Sequence, residues 1–488
     1  MQEILIGGQN GIKVFMDAAM GNRHGMISGA TGTGKTITLQ ILAEGFSKIG
    51  VPVFLADIKG DLSGITSAGK PHEKIAERIQ QIGITDFQQR GNPSVFWDIF
   101  AKTGHPVRAT ISDMGPLLLS NLLELNDTQT GVLYSCFKIA DDNGLLLLDL
   151  KDLRGLLAWV GNQDQILQVE YGNIAAASLG AIQRQLLVLE EQGAEHFFGE
   201  PAIQLEDFCK TDFSGNGVIS ILDATDLVSK SPRLYATFLL WLLSELFENL
   251  PEVGDADRPK LVLFFDEAHL LFDQAPRALL AKIEQIVRLI RSKGVGVYFI
   301  SQSPLDVPED ILGQLGLKIQ HALRAYTPKD QQVLKSVAGT FRTNPKIDTE
   351  TAIQELKTGE ALVSVLNKDG SPAPVERILI RPPESQIGPI AQEQRDEILK
   401  RSPFHGHYDV EVDRESAYEM LKQKADQKEQ EKLREQEAKK EEKAAASGGS
   451  RQRQTVTEAL LKNAARSIGT TVGRQIVRGI MGSLLGRR

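Results

Sequence analysis

Residues 29–36 read Gly29-Ala30-Thr31-Gly32-Thr33-Gly34-Lys35-Thr36. This octet fits the phosphate-binding pattern G-x-x-x-x-G-K-[ST], in which glycines let the backbone wrap a polyphosphate closely with successive N–H groups turned inward. The pattern carries meaning only between a strand and a helix, and both neighbours are present. His24 to Ser28 (HGMIS) is a brief strand. Thr36 to Ile49 has helical periodicity through Ile37, Leu39, Ile41, Leu42 and Phe46, and Gly50 is placed to end it. The helix N-terminus adds partial positive charge at the same point. Residues Gly29 to Thr36 are therefore expected to bind ATP, with Lys35 on the β- and γ-phosphates and the Thr36 hydroxyl on Mg²⁺.

Working outward, Val51 to Ala56, Gly217 to Leu222, Leu261 to Phe265 and Gly296 to Ser301 are short continuous apolar runs alternating with helical stretches. That is the pattern of a parallel sheet covered by helices on both faces. The run Leu261 to Phe265 ends in Asp266-Glu267. An apolar strand ending in acids puts carboxylates at the sheet edge beside the phosphates. Asp266 is expected to support Mg²⁺ and Glu267 to orient and deprotonate the attacking water. Gln302, after the next strand, is a candidate sensor of the γ-phosphate, because an amide donates to phosphate and accepts from water at once. Asp57, Lys59 and Asp61 follow the second strand on the same edge; they fit a role in the metal and water environment, a coupling switch or a plain strand-to-loop turn. The strand at 217–222, lying between the two nucleotide motifs, points to the ATPase branch that contains RecA-like motors. The expected fold class is α/β, a RecA-like P-loop NTPase domain with a helical insertion and a charged C-terminal extension.

Five segments carry a more specific resemblance: RHGMISGATGTGKT (23–36), LADIKGDLSG (55–64), FFGEPA (197–202), LVLFFDEAHLL (261–271) and YFISQSP (298–304). Together they resemble the HerA/FtsK class of hexameric P-loop ATPases, most of all its bacterial HerA-like, YjgR-type branch. The resemblance covers roughly residues 1–385. It implies a RecA-like motor domain, ATP hydrolysis and a ring-forming, hexameric homo-oligomer, and for this branch no settled cellular substrate. Taken with the glycine loop and Asp266-Glu267, it makes a nucleic-acid translocase, double-stranded DNA first, the leading reading. It also implies an arginine supplied by the neighbouring subunit. By position Arg324 is the first candidate, and Arg291 and Arg288 come after it. Well-developed HerA members carry an N-terminal β-barrel that docks a nuclease; here only about twenty residues precede the phosphate strand, a departure that puts a partner nuclease in doubt. The string Asp266-Glu267-Ala268-His269 also spells DEAH, but an RNA helicase of that kind needs a second motor domain with an arginine-rich motif, and none is seen. Two other readings stand beside the DNA motor: a protein-remodelling or secretion-type ATPase acting at a membrane, and a nucleotide-gated scaffold.

Composition is compatible with this frame. The chain has 488 residues, 41% hydrophobic and 24% charged, which excludes collagen, a small disulfide scaffold and wholesale disorder. Two cysteines, Cys136 and Cys209, point to a reducing compartment and supply no four-ligand zinc site. With no secretory signal and no bilayer-length apolar run, a cytoplasmic protein is expected. Net charge is −8. It averages an acidic body with a basic tail at 451–488, where Lys462, Arg466, Arg474, Arg478, Arg487 and Arg488 mix with apolar residues. The tail fits a DNA-contacting arm, a peripheral membrane contact, a subunit-packing helix or a disordered solubilising tail. The expected organisation is a short N-terminal β hairpin (1–21), a RecA-like core (22–100 and 216–385), a leucine-rich helical insertion (101–215), a charged helical or disordered linker (386–450) and the tail.

Overall fold

The computed structural model describes residues 2–162, 170–254, 256–273 and 277–446; the tail at 451–488 lies outside the described residues. The chain divides into two units, Met1–Leu421 and Lys422–Arg488.

The first unit is built on a twelve-stranded sheet. Its strands are β1 (Glu3–Gln9), β2 (Ile12–Asp17), β3 (Gly25–Ser28), β4 (Val53–Asp57), β5 (Ser94–Asp98), β6 (His105–Pro106), β7 (Ile219–Asp223), β8 (Leu261–Phe265), β9 (Val295–Ser301), β10 (Leu317–Gln320), β11 (Glu360–Ser364) and β12 (Glu376–Ile380). The spatial order is β2-β1-β12-β11-β10-β3-β9-β8-β4-β7-β5-β6. From β10 to β6 every pairing is parallel, whereas β10–β11, β11–β12, β12–β1 and β1–β2 are antiparallel. β1 and β2 pair with each other, and β1 joins them to the main sheet through β12.

The central strands are buried on both faces, so their apolar runs are continuous, and side-chain alternation sends successive residues to opposite cores. Leu261, Leu263 and Phe265 of β8 face one core, with Val295, Val297 and Phe299 of β9. Val262, Phe264, Tyr298 and Ile300 face the other, where Leu39, Leu42 and Phe46 of the helix Lys35–Lys48 cover them.

The leucine-rich segment forms the helices Ile111–Leu122, Asp127–Asp142, Leu150–Gly161 and Ala176–Glu191. Several begin with a capping box, among them Thr110 with Asp113 and Asn126 with Gln129. Their leucines share one core with Phe54, Trp97, Phe238 and Phe299. The segment is thus packed onto the sheet rather than standing apart as its own body.

The compact unit also runs on to Leu421, whereas the sequence reading closes the globular part at 385. The reason is visible around Trp97. Phe404 and Tyr408 place their rings 5.2 and 5.5 Å from it, and both are buried. Arg395 of the helix Gln392–Arg401 pairs with Asp223 at 2.7 Å and covers the Phe96 ring. These anchors are too sparse to produce a periodic pattern. In the second unit, residues 422–446 continue the helix Ala417–Ala446, exposed on all sides through residue 440.

Candidate nucleotide site

Strands β3, β9, β8 and β4 are parallel neighbours, so their C-terminal ends share one edge of the sheet. Ligands of open α/β sheets bind outside the carboxyl ends of the strands. The loop Gly29–Thr36 leaves β3 at this edge, Asp57 ends β4, Asp266-Glu267 follows β8, and Gln302 follows β9. With β9 between β3 and β8, Gln302 emerges between the glycine loop and the acid pair.

The loop conformation needs its glycines. Gly29, Gly32 and Gly34 have φ of 147°, 76° and 118°. At Gly29 a Cβ would also stand 2.5 Å from His321 Cβ. Gly34 is the N-cap of the following helix and offers no side chain to cap it. The first N–H groups of a helix lack intrahelical acceptors, so this uncapped end presents donors and positive dipole charge. Lys35 is buried and its Nζ donates to the loop's own carbonyls, Gly29 O at 2.6 Å and Ala30 O at 3.2 Å. Burial first, then the charge of Lys59, holds the Lys35 ammonium below the usual lysine range against the pull of Glu267 and Asp266. Thr36 is half-buried in the first helical turn.

Across the edge, Asp266 is 8% exposed. Burial raises its carboxyl to about 6; Lys59 opposes the rise and Glu267 adds to it. Glu267 has φ of 46°, a left-handed conformation that costs a non-glycine residue about 1–3 kcal/mol. Its N–H donates to Asp266 Oδ1 at 3.0 Å. Lys59 Nζ lies 3.0 Å from Glu267 Oε1 and 3.9 Å from Asp266 Oδ2. Burial lowers the Lys59 pKa, but the two carboxylates outweigh it and the net shift is upward. Tyr235 buttresses the pair from the helix Pro232–Asn249 by donating to Asp266 O at 3.2 Å.

Asp57 has a different job. Its carboxylate accepts from the N–H groups of Gly60 at 2.8 Å, Asp61 at 3.3 Å and Leu62 at 3.0 Å. It ties the strand-to-loop turn, and Lys59 is the member of that trio that reaches the acid pair.

Sequence reasoning missed what braces the glycine loop. His321, fully buried after β10, faces Thr38 Oγ1 through Nε2 at 2.8 Å and Glu360 O through Nδ1 at 3.0 Å. These partners make Nδ1 the donor and Nε2 the acceptor. Ala30 N–H donates to Ala322 O at 2.9 Å, and Gly359 N–H donates to Thr33 O at 2.9 Å. Arg78 in turn holds Gly359 O at 2.9 Å. The available signal was weak: a polar Gln320-His321 pair at the end of a short strand.

The arginine candidates separate cleanly. Arg324 is exposed and lies two residues beyond Ala322, on the edge where the loop sits. Arg288 and Arg291 precede β9, whose start lies at the opposite edge, so this chain's own site does not include them. His269 begins a short helix, with Nδ1 3.5 Å from Glu267 Oε2. Among the described residues no cluster of three or more His, Cys, Asp or Glu side chains can hold a metal ion unaided. The Thr36 hydroxyl and Asp266 carboxylate are hard oxygen donors of the kind Mg²⁺ takes together with phosphate oxygens and water. No helix of the described residues is long and apolar enough to cross a membrane.

The sequence matches the helicase HerA-like C-terminal family over residues 2–488. It is 21% identical over 368 residues to the DNA double-strand break repair helicase HerA of Sulfolobus acidocaldarius, an alignment covering 74% of this chain and 65% of that protein. The chain thus spans just under two thirds of the length of this relative. The bacterial conjugative coupling protein TrwB, in its unbound monoclinic form, superposes with a TM-score of 0.51 at 15% identity, covering 79% of this chain and 92% of the other. Its trigonal form in complex with sulphate gives 0.51 at 14% identity, covering 80% and 92%. These two likenesses show a shared fold, a largely parallel sheet flanked by helices. The match along nearly the whole chain shows more: this protein belongs to the helicase HerA-like C-terminal family, within the HerA/FtsK class of P-loop ATPases.

Proposed function

We propose that this chain is the ATP-hydrolysing motor of a homo-hexameric ring that translocates double-stranded DNA. One observation carries the hydrolytic part: the uncapped, glycine-wrapped helix start and the acid pair, buried Asp266 and half-buried Glu267, face the same sheet edge. The DNA part draws on the printed name of the relative from Sulfolobus acidocaldarius, a DNA repair helicase. An acidic exterior is compatible with it, because a ring needs basic charge only along its channel.

In this reading Gly29 to Thr36 cradle the phosphates of ATP, and Lys35 gives up its loop carbonyls to reach the β- and γ-oxygens. Thr36 and Asp266 would hold Mg²⁺, which when bound would supply neutralisation of the phosphate charge. Glu267 takes a proton from water as the water oxygen bonds to the γ-phosphorus. The bond from that phosphorus to the bridging oxygen breaks, and ADP leaves with the electron pair. Gln302, whose side chain is exposed, orients the γ-phosphate or the water. Arg324 reaches into the neighbouring subunit's site, where a cation offsets charge in the transition state.

Steady-state phosphate release with and without duplex DNA at low salt tests the proposal. The expected result is Mg²⁺-dependent turnover that rises several-fold with duplex DNA. Turnover indifferent to every nucleic acid, together with no binding at low salt, overturns the DNA assignment and leaves the protein-remodelling reading.

A further inference from the structure

Lys59 has no task in the mechanism just given, yet it makes the shortest ion-pair contact at the site. The turn that carries it is fixed by Asp57 through the N–H groups of Gly60, Asp61 and Leu62. Gly60 at φ 73° allows the sharp bend. The ammonium crosses from the end of β4 to the acids after β8, 3.0 Å from Glu267 Oε1.

The two oxygens of Glu267 differ. Oε1 is held by Lys59. Oε2 is buried and has no hydrogen-bond partner among the described residues; His269 Nδ1 stands off at 3.5 Å. A buried carboxylate oxygen left unpaired is unfavourable, and such an atom calls for an explanation in what it is kept for. The left-handed backbone at Glu267 is a second departure from relaxed geometry at the same residue.

We propose that Lys59 is a positioning residue for hydrolysis: by fixing Oε1 it leaves Oε2 as the atom presented to the attacking water. This deepens the ATPase reading and rests on it. Lys59 touches neither the phosphates nor the water in this account; it acts through Glu267. Its side chain is 42% exposed, so replacing it removes a charge without opening a cavity.

The test uses the full chain as the parent and as Lys59→Met, Lys59→Arg and Glu267→Gln. It measures kcat, KM, the thermal midpoint and the dissociation constant of a non-hydrolysable ATP analogue. Lys59→Met should lower kcat about tenfold to a hundredfold, the scale expected when a catalytic group is misplaced. KM and the dissociation constant should stay within about twofold, and Lys59→Arg should recover most of the rate, because a guanidinium can still hold Oε1. Parent-like turnover in Lys59→Met overturns the proposal. So does a rise in KM and dissociation constant with kcat retained, which makes Lys59 a phosphate ligand. A lowered thermal midpoint that explains the loss, with no recovery in Lys59→Arg, overturns it as well. The Glu267→Gln arm separates the two levels. If Glu267→Gln is slow while Lys59→Met is fast, only the Lys59 role falls; if Glu267→Gln is as fast as the parent, the hydrolytic site itself is wrong.

Discussion

Strands β3, β9, β8 and β4 run parallel and end at one edge, where Lys35, Gln302, Asp266 and Lys59 emerge. Strands β11, β12, β1 and β2 run antiparallel beside them and present no candidate catalytic side chain. They contribute backbone instead: Gly359, just before β11, and Glu360, its first residue, supply the hydrogen bonds that hold Thr33 of the glycine loop and His321 beneath that loop. Strand β10 joins the two halves and leads into both His321 and Arg324. The parallel half thus carries the proposed chemistry and the antiparallel half carries its support. The two can be broken separately.

The largest effect expected from this comparison concerns the arginines at opposite edges. Arg324→Ala should reduce turnover by about a hundredfold or more, in keeping with the weight of a transition-state arginine. Arg288→Ala and Arg291→Ala should stay close to the parent. Mixing Arg324→Ala with Lys35→Ala subunits should restore part of the activity, because each supplies what the other lacks. A hundredfold loss from Arg291→Ala, with Arg324→Ala unaffected, would move the trans arginine to the other edge.

The next effect tests the support. Gly29→Ala puts a Cβ 2.5 Å from His321 Cβ, against a side chain locked by two hydrogen bonds. Gly32→Ala meets nothing within 4 Å and costs only its positive φ, about 1–2 kcal/mol. Gly29→Ala should lose nucleotide affinity and thermal stability well beyond Gly32→Ala. Equal behaviour of the two variants would mean that the contact with His321 does not shape the loop.

The smallest effect is a pH dependence. Burial, ahead of every other influence, lowers His321 to about 4 and His24 to about 4, from an ordinary value of 6.5. Depressed histidines are neutral in the fold and charged more readily when it unfolds. Their contribution is fully present above pH 6.5 and is lost as pH falls from 6.5 toward 4. Asp57 and Asp266, both raised to about 6 chiefly by burial, act in the opposite sense. Their contribution is full below about 4 and lost as pH rises through 6, so the histidine share must be read as a difference. His321→Asn, which keeps a donor toward Glu360 O, should lose less thermal stability than the parent between pH 6.5 and 4.5, by about 2 °C or more. Parallel melting curves for the two proteins across that window would remove His321 from the account.

The division also explains what was legible in the sequence. Buried parallel strands announce themselves as apolar runs, and β8 falls on the residues expected, Leu261 to Phe265. The glycine loop is legible because its spacing is set by local backbone geometry. Lys59 was visible as a residue but not as a partner, since its contact with Glu267 spans the turn after β4 and the end of β8. His321, Gly359 and Arg78 left no pattern because they act through single long-range hydrogen bonds. The same holds for Phe404 and Tyr408, which extend the core to Leu421 through isolated aromatic contacts on Trp97.

The most direct test of the central claim is a paired measurement of ATP bound and ATP cleaved in the parent, Lys35→Ala and Glu267→Gln. The parent is expected to bind and cleave. Lys35→Ala should lose productive binding, and Glu267→Gln should retain bound ATP while cleaving it at least about a hundredfold more slowly. Comparable binding and comparable cleavage in all three would contradict the assignment of this sheet edge as the site of hydrolysis.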